Sequence, residues 1–310
     1  MTVLEVLNRA AALFKEQRIR NPRLNAELLV AHTLNLSREG LYTHLQDPVG
    51  EREKEEAGQL VQRRLSGEPL QYIIGHQQFW SVDLQVDPRV LIPRPDTEVL
   101  VEQALEVLSK IDRGGVSTVL EIGTGSGAIA IVLASEVKGV FVVATDLSYE
   151  ALRLARSNAE RAGVRDRISF VTGDLFCPLR YLEEKEQPFD LIVSNPPYIV
   201  RSEIGKLERE VKEFEPAVAL DGGEDGLDFH RKIVFGSPQY LRPGGWLVLE
   251  VGQSQAGEVC EMMERTDSFD SLERIRDLSG IERVVRGRRK TRLQVTSKQV
   301  KACNLQPVVT

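Results

Sequence analysis

The stretch Val119-Leu120-Glu121-Ile122-Gly123-Thr124-Gly125-Ser126-Gly127-Ala128-Ile129-Ala130-Ile131 decides how this chain folds. An apolar strand ends at Ile122, three glycines follow at alternate positions, and an apolar segment resumes as a helix. Glycine is required where a chain turns sharply and its backbone must approach a ligand closely. The helix N-terminus beyond the turn offers unpaired N–H groups to that ligand. Gly123, Thr124, Gly125, Ser126 and Gly127 are therefore candidate ligand-binding residues. Nineteen residues beyond Gly127, the strand VFVVATD ends at Asp146, whose carboxylate can accept both hydroxyls of a ribose.

Working outward, helices and apolar strands alternate from about Asp96 onward. The spacing predicts a helix over Glu98–Leu108, a strand over Thr118–Ile122 and a helix over Ala128–Glu136. There follow a strand Val140–Thr145, a helix Ser148–Ala162, and strands Ile168–Thr172 and Leu191–Ser194. A helix near Phe229–Tyr240, a Pro243-Gly244-Gly245 turn, a strand Trp246–Val251 and a strand pair at Glu273–Asp277 and Ile281–Arg286 complete the pattern. Such alternation argues for βαβ units and a parallel sheet. The glycine loop alone leaves the ligand open between adenosylmethionine and NAD, because G-T-G-S-G-A also satisfies the dinucleotide pattern G-x-G-x-x-G/A. Asp174, in Thr172-Gly173-Asp174-Leu175-Phe176 after the third strand, can accept an adenine amino group or cap its own loop.

Upstream the reading changes. Val3, Leu4, Leu7, Ala11 and Phe14 recur on one helical face. Asn21-Pro22 reads as an N-cap with proline at the first helical position, opening a helix through Leu34. Ser37 caps a short third helix. Asp47-Pro48 reads as the start of a fourth, through EREKEEAGQLVQRRL to Gly67. The charge run Glu51–Glu56 is a solvated face with its acids in the first turns, where the helix dipole favours them. Residues 1–67 are thus expected to be helical and 68–95 a β-hairpin linker. Residues 96–290 form the α/β domain, and 291–310 read as a disordered tail.

The tetrapeptide Asn195-Pro196-Pro197-Tyr198 carries the chemistry. It follows the apolar strand Leu191–Ser194, at the carboxyl end where open α/β sheets place their ligands. Two prolines make the loop stiff and extended. A planar NH2 group has two donors. The Asn195 side-chain oxygen can accept one and the Pro196 carbonyl the other, while Tyr198 can stack on the planar group. That arrangement suits methylation of an amide or an exocyclic amine. An amide nitrogen is a poor nucleophile, so holding both N–H bonds lowers the barrier by positioning. The same acceptors stabilise the charge that develops on nitrogen.

Composition narrows the classes. The chain has 310 residues, 42% of them hydrophobic and 28% charged, which suits two soluble globular units. A formal net charge of −6 lacks the basic footprint of a duplex-DNA binder. Cys177, Cys260 and Cys303 are scattered, and His32, His44, His76 and His230 form no ligand-spaced pair, so no disulfide framework or metal site is expected. The N-terminal segment lacks the apolar run of a signal peptide. No apolar stretch approaches the roughly 20 residues needed to span a bilayer. A cytoplasmic protein is expected.

The glycine loop and N-P-P-Y together resemble amino-methylating class I methyltransferases. Gly67-Glu68-Pro69-Leu70-Gln71-Tyr72-Ile73-Ile74-Gly75, Phe79-Trp80, and Leu91-Ile92-Pro93-Arg94-Pro95-Asp96-Thr97-Glu98 resemble the release-factor glutamine methyltransferase family (PrmC/HemK). So do Phe214-Glu215-Pro216 and Arg276-Asp277-Leu278-Ser279-Gly280-Ile281-Glu282-Arg283. The resemblance covers roughly residues 1–290. It implies a Rossmann-like, seven-stranded, mostly parallel sheet with a small all-helical N-terminal domain and a β-hairpin linker. It implies S-adenosylmethionine held by Gly123 to Gly127, Asp146 and the Asp174-Leu175 loop. It implies that Asn195 to Tyr198 receive the glutamine of the GGQ motif of peptide chain release factors, with no direct nucleic-acid substrate. Glu121, where many relatives carry Asp, either contacts the cofactor or ties down the glycine loop. Arg94, Thr97 and Glu98 are expected to border the cofactor pocket. Three other readings compete: an adenine-N6 DNA methyltransferase, which could use the same N-P-P-Y logic after base flipping, an NAD-dependent oxidoreductase, which would leave N-P-P-Y unexplained, and a non-catalytic binding module that retains the fold, which the intact glycine loop and N-P-P-Y count against.

Overall fold

The structure is a computed structural model and describes residues 1–111, 115–181 and 188–291. The expected tail beyond Thr291, including Cys303, lies outside the described residues.

Five helices come first: α1 (Val3–Glu16), α2 (Pro22–Thr33), α3 (Arg38–Thr43), α4 (Glu51–Leu65) and α5 (Leu70–Ile74). They enclose a core of their own around Leu7, Phe14, Leu29 and Leu41, each fully buried. A reciprocal cap starts α1. Thr2 Oγ1 accepts the Glu5 N–H (3.3 Å) and the Glu5 carboxylate accepts the Thr2 N–H (2.9 Å). Two expected caps differ. Asn21 precedes Pro22 but sits at φ +49° with no side-chain cap bond. Its carbonyl instead receives Asn25 Nδ2 (3.1 Å). Asp47-Pro48 opens no helix, because Pro48 is bridged to Thr2. α4 starts at Glu51, where the Glu53 carboxylate takes the Gly50 N–H (2.8 Å).

A hairpin of β1 (His76–Phe79) and β2 (Val82–Gln85) follows. Its buried Phe79 and Leu84 join the core of the next unit. Asn158 staples it there, accepting the Gln85 N–H (2.8 Å) and donating to the carbonyls of Gln85 (3.0 Å) and Ser126 (2.9 Å).

The remaining elements are α6 (Thr97–Ser109), β3 (Ser117–Ile122), α7 (Ala128–Glu136), β4 (Val140–Asp146), α8 (Tyr149–Arg161), β5 (Ile168–Thr172) and β6 (Phe189–Ser194). They continue with α9 (Arg209–Phe214), α10 (Asp228–Gly236), β7 (Leu241–Glu250), α11 (Ala256–Arg265), β8 (Phe269–Arg276) and β9 (Glu282–Arg289). The seven-stranded sheet runs β5-β4-β3-β6-β7-β9-β8. Pairings from β5 to β7 are parallel, and β9 is antiparallel to both of its neighbours. Successive residues alternate between two layers, as a covered sheet demands. Val119, Leu191, Val193 and Val248 pack with α6 and α7. Leu120, Ile192, Leu247 and Leu249 pack with α10 and α11. α7 has no polar face, and all of Ala128–Ala134 is buried. This is the expected fold class. Four elements depart from expectation: α5 is a helix within the stretch expected as a hairpin linker, β7 begins at Leu241 and carries the Pro243-Gly244-Gly245 turn within it, and α9 and α11 are not foreseen. No helix among the described residues is long and apolar enough to cross a membrane.

Candidate active site

The parallel pairing of β3 with β6 sets Ile122 beside Ser194, and the Ser194 hydroxyl donates to the Ile122 carbonyl (2.7 Å). The loops leaving these strands therefore start side by side. A Cβ on Gly123 would lie 4.0 Å from the Asn195 carbonyl. Gly123, Gly125 and Gly127 all take positive φ (+76°, +55° and +86°). At Gly127 a Cβ would press on Ile131 and Ala155, whereas at Gly125 it would meet open space. Thus Gly127 serves helix packing and Gly125 opens a cradle.

Asp146 ends β4 beside that cradle. Its carboxylate accepts the Gly125 and Ser148 N–H groups, each at 2.8 Å. Burial pushes its pKa up, and those backbone donors oppose the rise. Each oxygen keeps lone pairs for a further donor. One cleft is lined by Gly123 to Ser126, Asp146, Leu147, Asp174, Leu175, Asn195, Pro196 and Pro197. It is also lined by Ile129, Arg94 and Thr97. Gly127 and Tyr198 are not among its lining residues.

Glu121 lies behind the cradle, fully buried. Its Oε2 accepts the Thr124 hydroxyl (2.6 Å), while Oε1 has no hydrogen-bond partner among the described residues. Burial raises its pKa to about 8, against the pull of Thr124. It does not line the cleft, so of its two expected roles the structure favours tying down the glycine loop.

Asn195 is held by its nitrogen: Nδ2 donates to Thr97 Oγ1 (3.1 Å). No hydrogen bond among the described residues reaches Asn195 Oδ1 or the Pro196 carbonyl. Tyr198, expected to stack on a planar substrate group, is tied into the fold. Its hydroxyl donates to the buried Glu250 carboxylate (3.3 Å), and its ring lies against Gly252. Gln255 Nε2 donates to the Tyr198 carbonyl (3.0 Å), and Gln255 Oε1 accepts the Gly252 N–H (2.8 Å). A Cβ at Gly222 would come within 2.7 Å of Tyr198 Cα, and one at Gly226 within 2.5 Å of the Tyr198 carbonyl. Three glycines therefore let backbone close around this residue, which anchors the stiff loop.

The linker reaches the same cleft. Arg94 pairs with the buried Glu215, and Glu215 also accepts the Ile92 N–H (3.3 Å). Glu98 does not line the cleft; its carboxylate accepts the Trp80 N–H (3.0 Å) and holds the hairpin turn. Beyond Tyr198 the chain touches the helical unit through Arg64–Glu210 (2.7 Å) and Arg20–Glu208 (3.1 Å). Thr97 lines the cleft as expected, but its bond to Asn195 and the parts played by Glu250 and Gln255 are not foreseen from sequence. The available signal was a lone carboxylate ending the apolar strand LVLE. No group of three or more potential metal ligands occurs among the described residues.

Residues 97–211 match the family model described as "Methyltransferase small domain", and residues 5–75 the one described as "PrmC N-terminal domain". Among solved structures, the catalytic domain of hMettl16 in complex with MAT2A 3'UTR hairpin 6 superposes with a TM-score of 0.53. The match has 16% identity and covers 79% of this chain and 84% of that one. Fold and glycine cradle thus define a class I methyltransferase, a class that works with an adenosylmethionine-type cofactor. Among curated proteins, the release factor glutamine methyltransferase of Geobacter sulfurreducens is 45% identical, over 93% of this chain and 96% of that one. The protein of the same name from Koribacter versatilis is 40% identical, over 94% and 100%. The chain belongs to the release factor glutamine methyltransferase family.

Proposed function

We propose that this protein transfers a methyl group from S-adenosylmethionine to the side-chain amide nitrogen (N5) of the glutamine in the GGQ motif of peptide chain release factors, and so supports translation termination. One observation carries the reading. Asn195 is pinned through its nitrogen by Thr97, which leaves its oxygen, together with the Pro196 carbonyl, as an unclaimed acceptor pair beside the cradle. Two acceptors on a proline-stiffened loop match the two N–H bonds of a primary amide.

The cleft suits an adenosyl group. Gly123 to Gly127 provide close backbone approach, Asp146 has lone pairs for a ribose diol, and Asp174 and Leu175 flank the far side. When bound, adenosylmethionine supplies an electrophilic methyl group. Asn195 and Pro196 hold the substrate amide, fix its nitrogen in one orientation and accept charge as the N–H bonds become more acidic. Pro197 keeps the loop extended, and Tyr198 fastens its far end to Glu250. Ile129, Leu147 and Leu175 give the cleft an apolar part of its lining. Residues 1–67 serve as a docking unit for the protein substrate, joined through the linker 68–95 to the catalytic part, 96–290. The compartment that fits is the cytoplasm. A nucleic-acid substrate is not favoured, given the net charge of −6, and an NAD-dependent reaction leaves the acceptor pair without a task.

The test is Asn195→Ala with a purified release factor. Turnover should fall about 10²-fold or more, because a preorganised polar group is lost. Adenosylmethionine affinity should stay within about three-fold, and mass spectrometry should place the wild-type methyl group on the GGQ glutamine. Near-normal turnover in the variant would reject the amide clamp.

A further inference from the structure

Glu250 is an isolated carboxylate at the end of Leu247-Val248-Leu249, 1% exposed and beneath the catalytic loop. Such a group is costly to bury unless it is paired. Among the described residues no cation lies within ion-pair distance of it. Arg283, whose charge favours the carboxylate, is engaged by Asp96 (3.1 Å) and Asp277 (3.0 Å). The contacts of Glu250 lead instead into the site. Oε1 accepts the Tyr198 hydroxyl (3.3 Å). Oε2 is buried with no hydrogen bond, and the neighbouring Thr97 side chain favours the charged form. Thr97 Oγ1 is already an acceptor for Asn195 Nδ2, so its single proton must go elsewhere. The unpartnered Glu250 Oε2, whose charged form the Thr97 side chain favours, is the acceptor available to it.

We infer that Glu250 is a positioning residue for methyl transfer: by accepting from Thr97 it keeps the Thr97 oxygen turned to Asn195 Nδ2, and by accepting from Tyr198 it fixes the end of the catalytic loop. This rests on the function proposed above for what Asn195 holds, but not for the coupling itself. Burial raises the Glu250 pKa to about 7, against Thr97, Tyr198 and Arg283, while Asp96 adds to the rise. From α10, His230 meets Glu250 only at its main-chain carbonyl (2.8 Å), and burial lowers the His230 pKa. Above pH 7 the carboxylate accepts from Thr97. Below it the carboxyl donates, Thr97 loses its acceptor, and the bond orienting Asn195 weakens.

Two measurements test this on the full chain. The side-chain amide resonances of Asn195 are followed from pH 5.5 to 8.5 by nitrogen-15 NMR, without any substrate. They should titrate with a midpoint near 7 in the wild type. Glu250→Gln, and Thr97→Val as a second variant that keeps the carboxylate, should abolish that titration. Turnover on release factor should fall about ten-fold in Glu250→Gln, with KM and adenosylmethionine affinity within about two-fold, and its acid limb near pH 7 should vanish. An Asn195 titration unchanged in both variants, or an unaltered turnover profile, would overturn the inference. A wild type that methylates no release factor would overturn the proposed function, while the Asn195 titration would still decide the role of Glu250.

Discussion

Glu121 offers a stability experiment whose sign is fixed by its burial. The carboxyl is fully buried with Oε1 unpartnered, and its pKa is raised from 4.5 to about 8. In the unfolded chain it ionises near its ordinary value, so between these limits the folded state binds the extra proton. The Glu121 contribution to stability is therefore greatest below about pH 4.5, falls as pH rises through the window, and levels off above about 8. At about 1.4 kcal/mol per pH unit the whole loss is on the order of 3–5 kcal/mol. Glu121→Gln removes it. The glutamine oxygen can still accept from Thr124, which now donates at 2.6 Å. Its NH2 would occupy the unpartnered position at a cost of about 1–3 kcal/mol, the same at every pH. The variant can thus be less stable than wild type at pH 5, yet should gain on it by roughly 1 kcal/mol per unit up to pH 8. Urea unfolding of cofactor-free protein at pH 5, 6, 7 and 8 measures the gap. A gap that does not change with pH would refute the argument that Glu121 is buried as the neutral acid.

Three further outcomes are expected. Asp146→Ala should weaken adenosylmethionine about ten-fold or more in calorimetry, since charge-assisted hydrogen bonds are worth about 1.5–3 kcal/mol; unchanged affinity would reject this placement of the ribose. Gly222→Ala should cost about 1–3 kcal/mol of stability by overpacking and lower turnover, because its Cβ would press on Tyr198 Cα and the Gly226 carbonyl; wild-type values of both would mean that the backbone is not so tightly closed. Whole release factor should be methylated at least about a hundred-fold more efficiently, by kcat/KM, than a short GGQ peptide, because contacts elsewhere offset the ordering of a glycine-rich loop. Equal efficiencies would remove the docking role proposed for residues 1–67.

The sheet was legible because its strands are short, apolar and punctuated by glycine turns. Ala128–Glu136 was readable as a helix by its position after the cradle, although its uniform apolarity carries no helical stripe. β7 was read too short because Pro243-Gly244-Gly245 looks like a terminus, yet the strand absorbs it with a register shift against β6. α11 escaped because Gln255 gives no capping signal; its side chain is spent on Gly252 and Tyr198. In the site, motif chemistry pointed to Asn195 and the cradle, which do share a cleft. The resemblance placed Thr97 at the pocket, but nothing in the motif could reveal its bond to Asn195, made across 98 positions by the packing of α6 on the sheet. Nor could it orient Tyr198. Its place beside the amide-binding residues suggested contact with substrate, whereas a buried acid and three glycines elsewhere in the chain draw it down into the fold.

The dispersed anchoring of the Asn195–Tyr198 loop bears on when the enzyme can first work as it is synthesised. The cradle, Asp146 and the N-P-P-Y strand all emerge from the ribosome before β7. Yet the loop's far end is held by Glu250, at the end of β7, and Gln255, at the start of α11, so β7 must pair with β6 before either can reach Tyr198. Non-local closure of this kind comes late and slowly in folding. A nascent chain halted before residue 241 would therefore carry a recognisable cofactor cradle beside an unanchored catalytic loop. Methyl-transfer competence should switch on only once the chain has been made past Gln255.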